Sequence, residues 1–370
     1  MKTIRVLNVV TKMDAAGIET LLMNIYRNID RKKVQFDFLT HRHDKGFYDD
    51  EILELGGKIY NVPAINPLKH GYYLNSLDNF FKNHRDYKIV HSHINTFSMY
   101  PLRAAMNAGI PVRIAHSHIA NVPYDLKTPF RIYTKSKLTK YSTHNFACSE
   151  IAGRWLFGRN KDFKVFNNSI DTFKFIFNDK KSKEIKQKLG ISGKFVVGHV
   201  GRFDSQKNHM FLLEIFKEVH RKNNNAILLL VGDGILRNKI EDKVRELNLT
   251  ENVILTGVRS DLPDIYQAMD VFLFPSLYEG LGIVLIEAQA AGLPCVVANT
   301  IPKEAFITDL LSELSLDSNP EEWANEVLRQ TNKVRINTYT RIKESGFDLG
   351  DEVRRLEEFY NTVHGNSDLT

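Results

Sequence analysis

Only two cysteines occur in the chain, Cys148 and Cys295, and each lies in an apolar run, NFACS and PCVVA. A disulfide framework and a cysteine-built zinc site are therefore not supported, and two buried thiols in a cytosolic protein are expected. No apolar run reaches the roughly 18 residues that a membrane-spanning helix needs. The first strand is not followed by G-x-G-x-x-G, which argues against a nicotinamide dinucleotide at that point. There is no D-x-D and no H-E-x-x-H, so common marks of a divalent-metal centre are missing. Internal repeats and low-complexity segments are absent too. The N-terminus, MKTIRVLNVV, is apolar for only a few residues and reads as a first strand, not a secretory signal.

What is present is 43 % apolar residue content over 370 residues, long for one core and comfortable for two. Charge is unevenly spread. Residues 1–175 carry a balance of +11 and the remainder −5. A basic first half suggests an anionic partner, such as a membrane surface, a lipid phosphate or nucleic acid. Nucleic acid is the poorest match, since no binding motif accompanies the basic residues.

Short β-branched runs alternate with amphipathic segments almost from end to end. The first half has IRVLNVV, QFDFLT, KIYNV, KIVHSH, VRIAHSH, HNFACS and FKVFNN. The second has KFVVGHVGR, AILLLVGDG, VILTG, VFLFPS and PCVVAN. Helices are expected between them, for example over Ile18 to Ile29 and Ser98 to Ala108. This alternation predicts parallel sheets covered on both faces, and two such sets predict two doubly wound α/β domains. Residues 1–171 are expected as the first Rossmann-like domain and 172–193 as a Lys-rich linker. Residues 194–347 form the second domain, and 348–370 a closing amphipathic helix with Val353, Leu356, Phe359 and Tyr360 on one face.

Ligands of open parallel sheets bind beyond the carboxyl ends of the strands, and the informative residues lie there. In FPSLYEGLGIVLIEAQAAGLP, a strand ends at Pro275 and a helix is expected from Gly282 to Ala291. Glu279 sits in the loop and Glu287 about two turns later. Gly280 and Gly282 leave room for phosphates to approach backbone N–H groups at the helix start. Amides for phosphates and carboxylates for hydroxyls suit a phosphorylated sugar ligand. In GRFDSQKN, Arg202 and Lys207 follow a strand directly and could clamp a diphosphate from two sides, one as a planar fork and one as a point charge. Two His-x-His pairs, His91 with His93 and His116 with His118, end two strands. Alternate residues point the same way, so each pair could ligate a metal; no acidic cluster lies nearby in sequence to complete such a site. The stretch KTPFRIYTKSKLTKY combines Lys127, Arg131, Lys135, Lys137 and Lys140 with aromatic residues. It reads equally as a solvated basic face or as a surface resting on an anionic leaflet.

The pattern PS-x-x-EG…EA-x-A-x-G-x-P, with the two glutamates eight positions apart, resembles the signature of retaining GT-B glycosyltransferases of family four. That group builds bacterial capsules, exopolysaccharides and lipopolysaccharide. The resemblance extends over most of the chain. It implies two Rossmann-like domains facing a central cleft, with the C-terminal helix crossing back to the first domain. It implies that Gly17, in TKMDAAGIET, lies in the loop approaching donor phosphates and acceptor. It places His118 against the donor sugar, with His116 second, and His91, His93, His116 and Asn168 toward the acceptor. Arg202, Lys207, Gly280, Leu281 and Gly282 would meet the donor phosphates. Gly232, in VGDG, and Thr256, in TGV, would border the nucleotide. Glu279 would hold the transferred sugar and Glu287 the ribose. His118, Glu279, Arg202 and Lys207 would be the catalytic set. Two departures stand out: Ser169 replaces a glycine in NNSID, and Gly282-Ile283 lacks a proline often found there.

The implied reaction is sugar transfer from a nucleotide-diphosphate donor, UDP by family habit, to a lipid-linked or oligosaccharide acceptor. The anomeric configuration is retained, and no metal or cofactor is expected. A sugar-nucleotide epimerase on the same fold and a catalytically silent binding partner are the competing readings. The expected location is the cytoplasm, with peripheral contact at the inner face of the plasma membrane.

Overall fold

The computed structural model describes residues 3–14, 17–119, 128–331 and 333–367. The chain forms two compact units, Met1–Ile170 together with Leu349–Thr370, and Asp171–Asp348.

In the first unit, seven parallel strands form one sheet: β1 (Ile4–Val9), β2 (Val34–Thr40), β3 (Ile59–Asn61), β4 (Ile89–Ser92), β5 (Val112–Ser117), β6 (His144–Ala147) and β7 (Lys164–Val165). Their order is β3-β2-β1-β4-β5-β6-β7. The order reverses between β1 and β4, which pair in parallel with Asn8 opposite His91. Helices cover both faces, so β1 and β2 are buried nearly throughout. Val6 faces one core with Met23, Tyr26, Phe36 and Phe146. Leu7 and Val9 face the other with Tyr73, Leu77 and Val90. The strand's period of two thus feeds two separate cores.

The closing helix, Leu349–Ser367, completes the first of these cores with Val353, Leu356, Phe359 and Tyr360. It packs beside the helix Gly17–Asn28. Each such side chain, once buried, contributes about 1.5–3 kcal/mol. Glu352 anchors the same helix, accepting from the Asn167 N–H at 3.4 Å and from Arg355 at 2.6 Å.

The second unit has β8 (Phe195–Val200), β9 (Ala226–Val231), β10 (Val253–Leu255), β11 (Val271–Phe274), β12 (Cys295–Ala298) and β13 (Leu311–Leu314). The order is β10-β9-β8-β11-β12-β13, parallel throughout, with its reversal between β8 and β11. All twelve β-branched runs of the sequence are strands. The thirteenth strand, LSEL, is half-exposed at the sheet edge and contains no β-branched residue, so nothing in its composition signals it.

Residues 172–193 carry two helices, Thr172–Phe175 and Asp179–Lys188, within the second unit. Lys186 pairs with Asp270 at 2.8 Å and Lys181 with Asp264 at 3.0 Å. Both cysteines are buried thiols. Among the described residues, no helix is long and apolar enough to cross a membrane.

Candidate functional site

In the second unit the loops after β8 and β11 meet at the strand-order reversal. The Leu277 N–H donates to the Gln206 carbonyl at 2.8 Å, and the Asn208 amide donates to the Pro275 carbonyl at 3.2 Å. These bonds set two side chains against each other. Lys207 Nζ lies 2.6 Å from Glu279 Oε1, with side-chain exposures of 13 % and 6 %. Gln206 Nε2 donates to Glu279 Oε2 at 3.1 Å and to the Tyr278 carbonyl at 3.0 Å. The Lys207 ammonium also sits 5.0 Å from the Phe274 ring centre, a cation–π placement. Arg202 is exposed, and its side chain makes no hydrogen bond or ion pair among the described residues.

Gly282 precedes the helix Ile283–Ala290 in a left-handed conformation, φ 80°, which favours glycine. Gly280 and Leu281 complete the turn into that helix, whose N–H groups are available to an anion. Glu287 lies further along and accepts from the Tyr266 hydroxyl at 2.9 Å. Burial pushes its carboxyl up to about 7, and the tyrosine bond opposes the shift. Gly232 and Thr256 follow β9 and β10. Gly232 pairs with Gly257, at φ 135°, and a methyl group on it would lie 2.0 Å from the Gly201 carbonyl oxygen. Only glycine fits there.

In the first unit the corresponding reversal holds four histidines. His91 Nδ1 is 2.7 Å from the Tyr360 hydroxyl, and its Nε2 is 3.1 Å from His116 Nδ1. His93 Nδ1 is 3.0 Å from His118 Nε2, and its Nε2 is 3.2 Å from Asn8 Oδ1. Burial holds His91, His93 and His116 well below the ordinary histidine range and His118 down to about 4, so the cluster is neutral at pH 7. Asn168 opposes the shift of His118, although its Oδ1 makes no complete hydrogen bond. His91, His93 and His116 each offer a ring nitrogen within 4.8 Å of the others, the group best placed to hold a metal among the described residues. His91 and His116 line a cavity of about 20 Å3 with Glu352 and Tyr360. That is room for one water.

His93 also lines a larger pocket, about 370 Å3, together with Asn95, Phe97, Arg42, Arg131 and Trp155. Gly17 opens its helix exposed, and an added methyl group there would meet nothing within 4 Å. Ser169 is buried, and its φ is not positive, so this backbone does not require the glycine it replaces. On the helix Thr128–Tyr141, Ile132, Tyr133, Lys137 and Lys140 are exposed, while Lys135 lies over the Trp155 ring at 5.0 Å. Lys127 falls outside the described residues.

Gln206, Tyr266, Asn8 and Tyr360 were not legible as partners of the site residues. Gln206 adjoins Lys207 in sequence, and Asn8 is a polar residue in a mostly apolar strand; those were the available signals.

Residues 15–173 match the pattern described as Glycosyltransferase Family 4, and residues 181–346 match Glycosyl transferases group 1. The Bacillus subtilis (strain 168) protein named as glycosyltransferase EpsF is 37 % identical over 377 residues, covering 96 % of each chain. The UDP-Gal:alpha-D-GlcNAc-diphosphoundecaprenol alpha-1,3-galactosyltransferase of Escherichia coli is 27 % identical over 317 residues, covering 81 % of each. Further relatives carry names from capsular polysaccharide biosynthesis. Among solved structures, Anabaena HepE in complex with UDP-glucose superposes with a TM-score of 0.78 at 19 % identity, covering 97 % of this chain and 99 % of its own. That similarity concerns the fold.

Proposed function

This chain belongs to the family 4 glycosyltransferases, with the two-sheet GT-B fold and relatives in polysaccharide biosynthesis, and we propose that it moves a sugar from a UDP-sugar to a growing lipid-linked surface polysaccharide, with retention and without a metal at the transferred bond. The observation that carries this reading is the contact of Lys207 with Glu279 at the strand-order reversal, beside the exposed Arg202.

A nucleotide diphosphate supplies what both partners of that pair would exchange for each other. Its phosphate oxygens offer Lys207 an anion, and the sugar hydroxyls offer Glu279 donors. Arg202 and the helix N-terminus at Ile283 add positive charge where the leaving diphosphate develops its negative charge. In the transfer, the bond from the sugar's anomeric carbon to the diphosphate breaks, the acceptor oxygen takes its place, and the acceptor's hydroxyl proton is released. Glu287 would accept from the ribose hydroxyls, and His118 would contact the donor sugar. Arg131, Lys137 and Lys140 would favour an anionic leaflet carrying the acceptor. The names of the Escherichia coli relative and of the HepE complex support UDP and a diphosphate-lipid acceptor.

The test is nucleoside-diphosphate release from UDP-, GDP-, ADP- and TDP-sugars, with EDTA present, with and without a membrane-lipid extract. Release from UDP-sugar alone, stimulated by lipid and lost in Glu279→Ala, is expected. Dependence on added divalent cation would overturn the metal-free reading. Sugar epimerisation without transfer would overturn the reaction.

A further inference from the structure

His199 is fully buried in β8. Pairing of β8 with β11 ends at Gly198 and Phe272. The next residue of β8 bridges the two strands with its ring, since His199 Nδ1 lies 2.9 Å from the Leu273 carbonyl oxygen. A carbonyl only accepts, so His199 carries a proton on Nδ1. Burial first, then His209 and Lys207, hold the ring well below the ordinary histidine range. It is therefore neutral at pH 7, and its Nε2 is bare. The opposite setting of the ring would put a carbon against the Leu273 carbonyl and forfeit the bond.

That bare nitrogen is buried and lacks a hydrogen-bond partner among the described residues. His209 stands at 82° to the ring, with centres 5.0 Å apart, and makes no hydrogen bond to it. The other near neighbour is Lys207. A methyl group added at Gly201 would lie 3.1 Å from His199 Nε2 and 3.1 Å from both Cγ and Cε of Lys207. The lysine stem and the bare nitrogen thus flank one point, no further apart than twice that distance, where Gly201 has no side chain. The Phe274 ring lies 5.0 Å from Lys207 Nζ and 5.9 Å from the centre of the His199 ring. In the ligand-free chain the ammonium is turned to Glu279. Rotation about the last bonds of the lysine side chain would turn it to His199. An ammonium has three hydrogens to place, and a buried acceptor without a donor is costly to keep.

We infer that His199 is a positioning residue of the donor site: its bare Nε2 accepts from Lys207 once the donor draws the ammonium off Glu279, so that the cation is held between the ring and the diphosphate. This rests on the proposed exchange of the Lys207–Glu279 contact for the donor. His199 need not touch the donor. Its Nδ1 clamps two strands and its Nε2 aims one cation, and two substitutions separate these duties. In His199→Asn the amide N–H stands in for Nδ1 and the acceptor is gone. In His199→Gln the side-chain oxygen stands in for Nε2 and the clamp is gone.

Nitrogen-15 NMR of histidine-labelled full-length protein tests the contact without any ligand, with His199 assigned by its loss in His199→Asn. The wild type should show a protonated Nδ1 and a bare, unbonded Nε2. In Glu279→Ala the ammonium loses its carboxylate, and His199 Nε2 should move to the value of a hydrogen-bonded acceptor. Adding Lys207→Met should return it. A protonated or already bonded Nε2 in the wild type, or an Nε2 that does not respond to Lys207, overturns the inference. Calorimetric titration with UDP then reads the donor site. His199→Asn should melt like the wild type and bind UDP about tenfold more weakly, the worth of one ordinary hydrogen bond. His199→Gln should melt lower and bind UDP like the wild type. The reverse pattern leaves His199 a strand clamp alone and overturns the inference. A wild type that binds no UDP overturns the donor reading instead, and the ligand-free spectra still decide on His199.

Discussion

Removing the ammonium of Lys207 tests the central contact of the second unit. In Lys207→Met the Glu279 carboxylate keeps its donor from Gln206 at 3.1 Å but loses its counter-charge at 2.6 Å. The Glu279 side chain is only 6 % exposed, so water cannot take over. Removing one partner of a buried pair costs about 3–5 kcal/mol, because the other charge is left uncompensated. For a unit of this size each kcal/mol lowers Tm by about 2–4 °C. Lys207→Met should therefore lower the transition assigned to the second unit by about 6–20 °C at pH 7. Glu279→Gln leaves Lys207 its Phe274 ring and a route to solvent, and should cost less. The double variant should recover part of the loss, since a shared interaction is counted once. Differential scanning calorimetry on the ligand-free protein measures all three. A loss below about 1 kcal/mol in Lys207→Met, or simple additivity in the double variant, would show that the pair is not formed before the donor arrives.

Three further outcomes follow from the same geometry. With its pKa raised to about 7 by burial, Glu287 holds a proton below that pH and is a carboxylate above it; nucleotide affinity should rise as pH passes upward through about 7, with proton release on binding visible by calorimetry in two buffers, and Glu287→Gln should flatten the profile. Gly232→Ala places a methyl group 2.0 Å from the Gly201 oxygen at φ 135°, so the second unit should lose its cooperative transition, while Gly17→Ala leaves melting unchanged. Tyr360→Phe leaves His91 Nδ1 buried and unpaired and should destabilise the first unit by about 1–3 kcal/mol in urea unfolding.

Most of the fold was legible because a strand covered on both faces must be apolar along its length, and runs such as AILLLV carry that mark locally. The edge strand Leu311–Leu314 carried none. Lys207 and Glu279 were each readable from strand-end loops, but their contact depends on how two loops 72 residues apart are tied by Gln206 and Asn208. The histidine pairs were visible as motifs. Their partners were not: Tyr360 is 269 residues from His91 and Asn8 is 85 residues from His93. Periodicity reports which face a residue occupies, and only the folded chain reports who stands opposite.

The closing helix bears on how the protein is made. Val353, Leu356, Phe359 and Tyr360 belong to the same core as Val6 and Phe36, yet they leave the ribosome after the whole of Asp171–Asp348. Domains generally fold as units in the order of synthesis. Here the second unit can finish while the first, begun earlier, still shows an uncovered apolar flank along Gly17–Asn28. For the time taken to translate the intervening residues, that flank is a surface for chaperones to cover. A ribosome stalled before Leu349 would leave it bare.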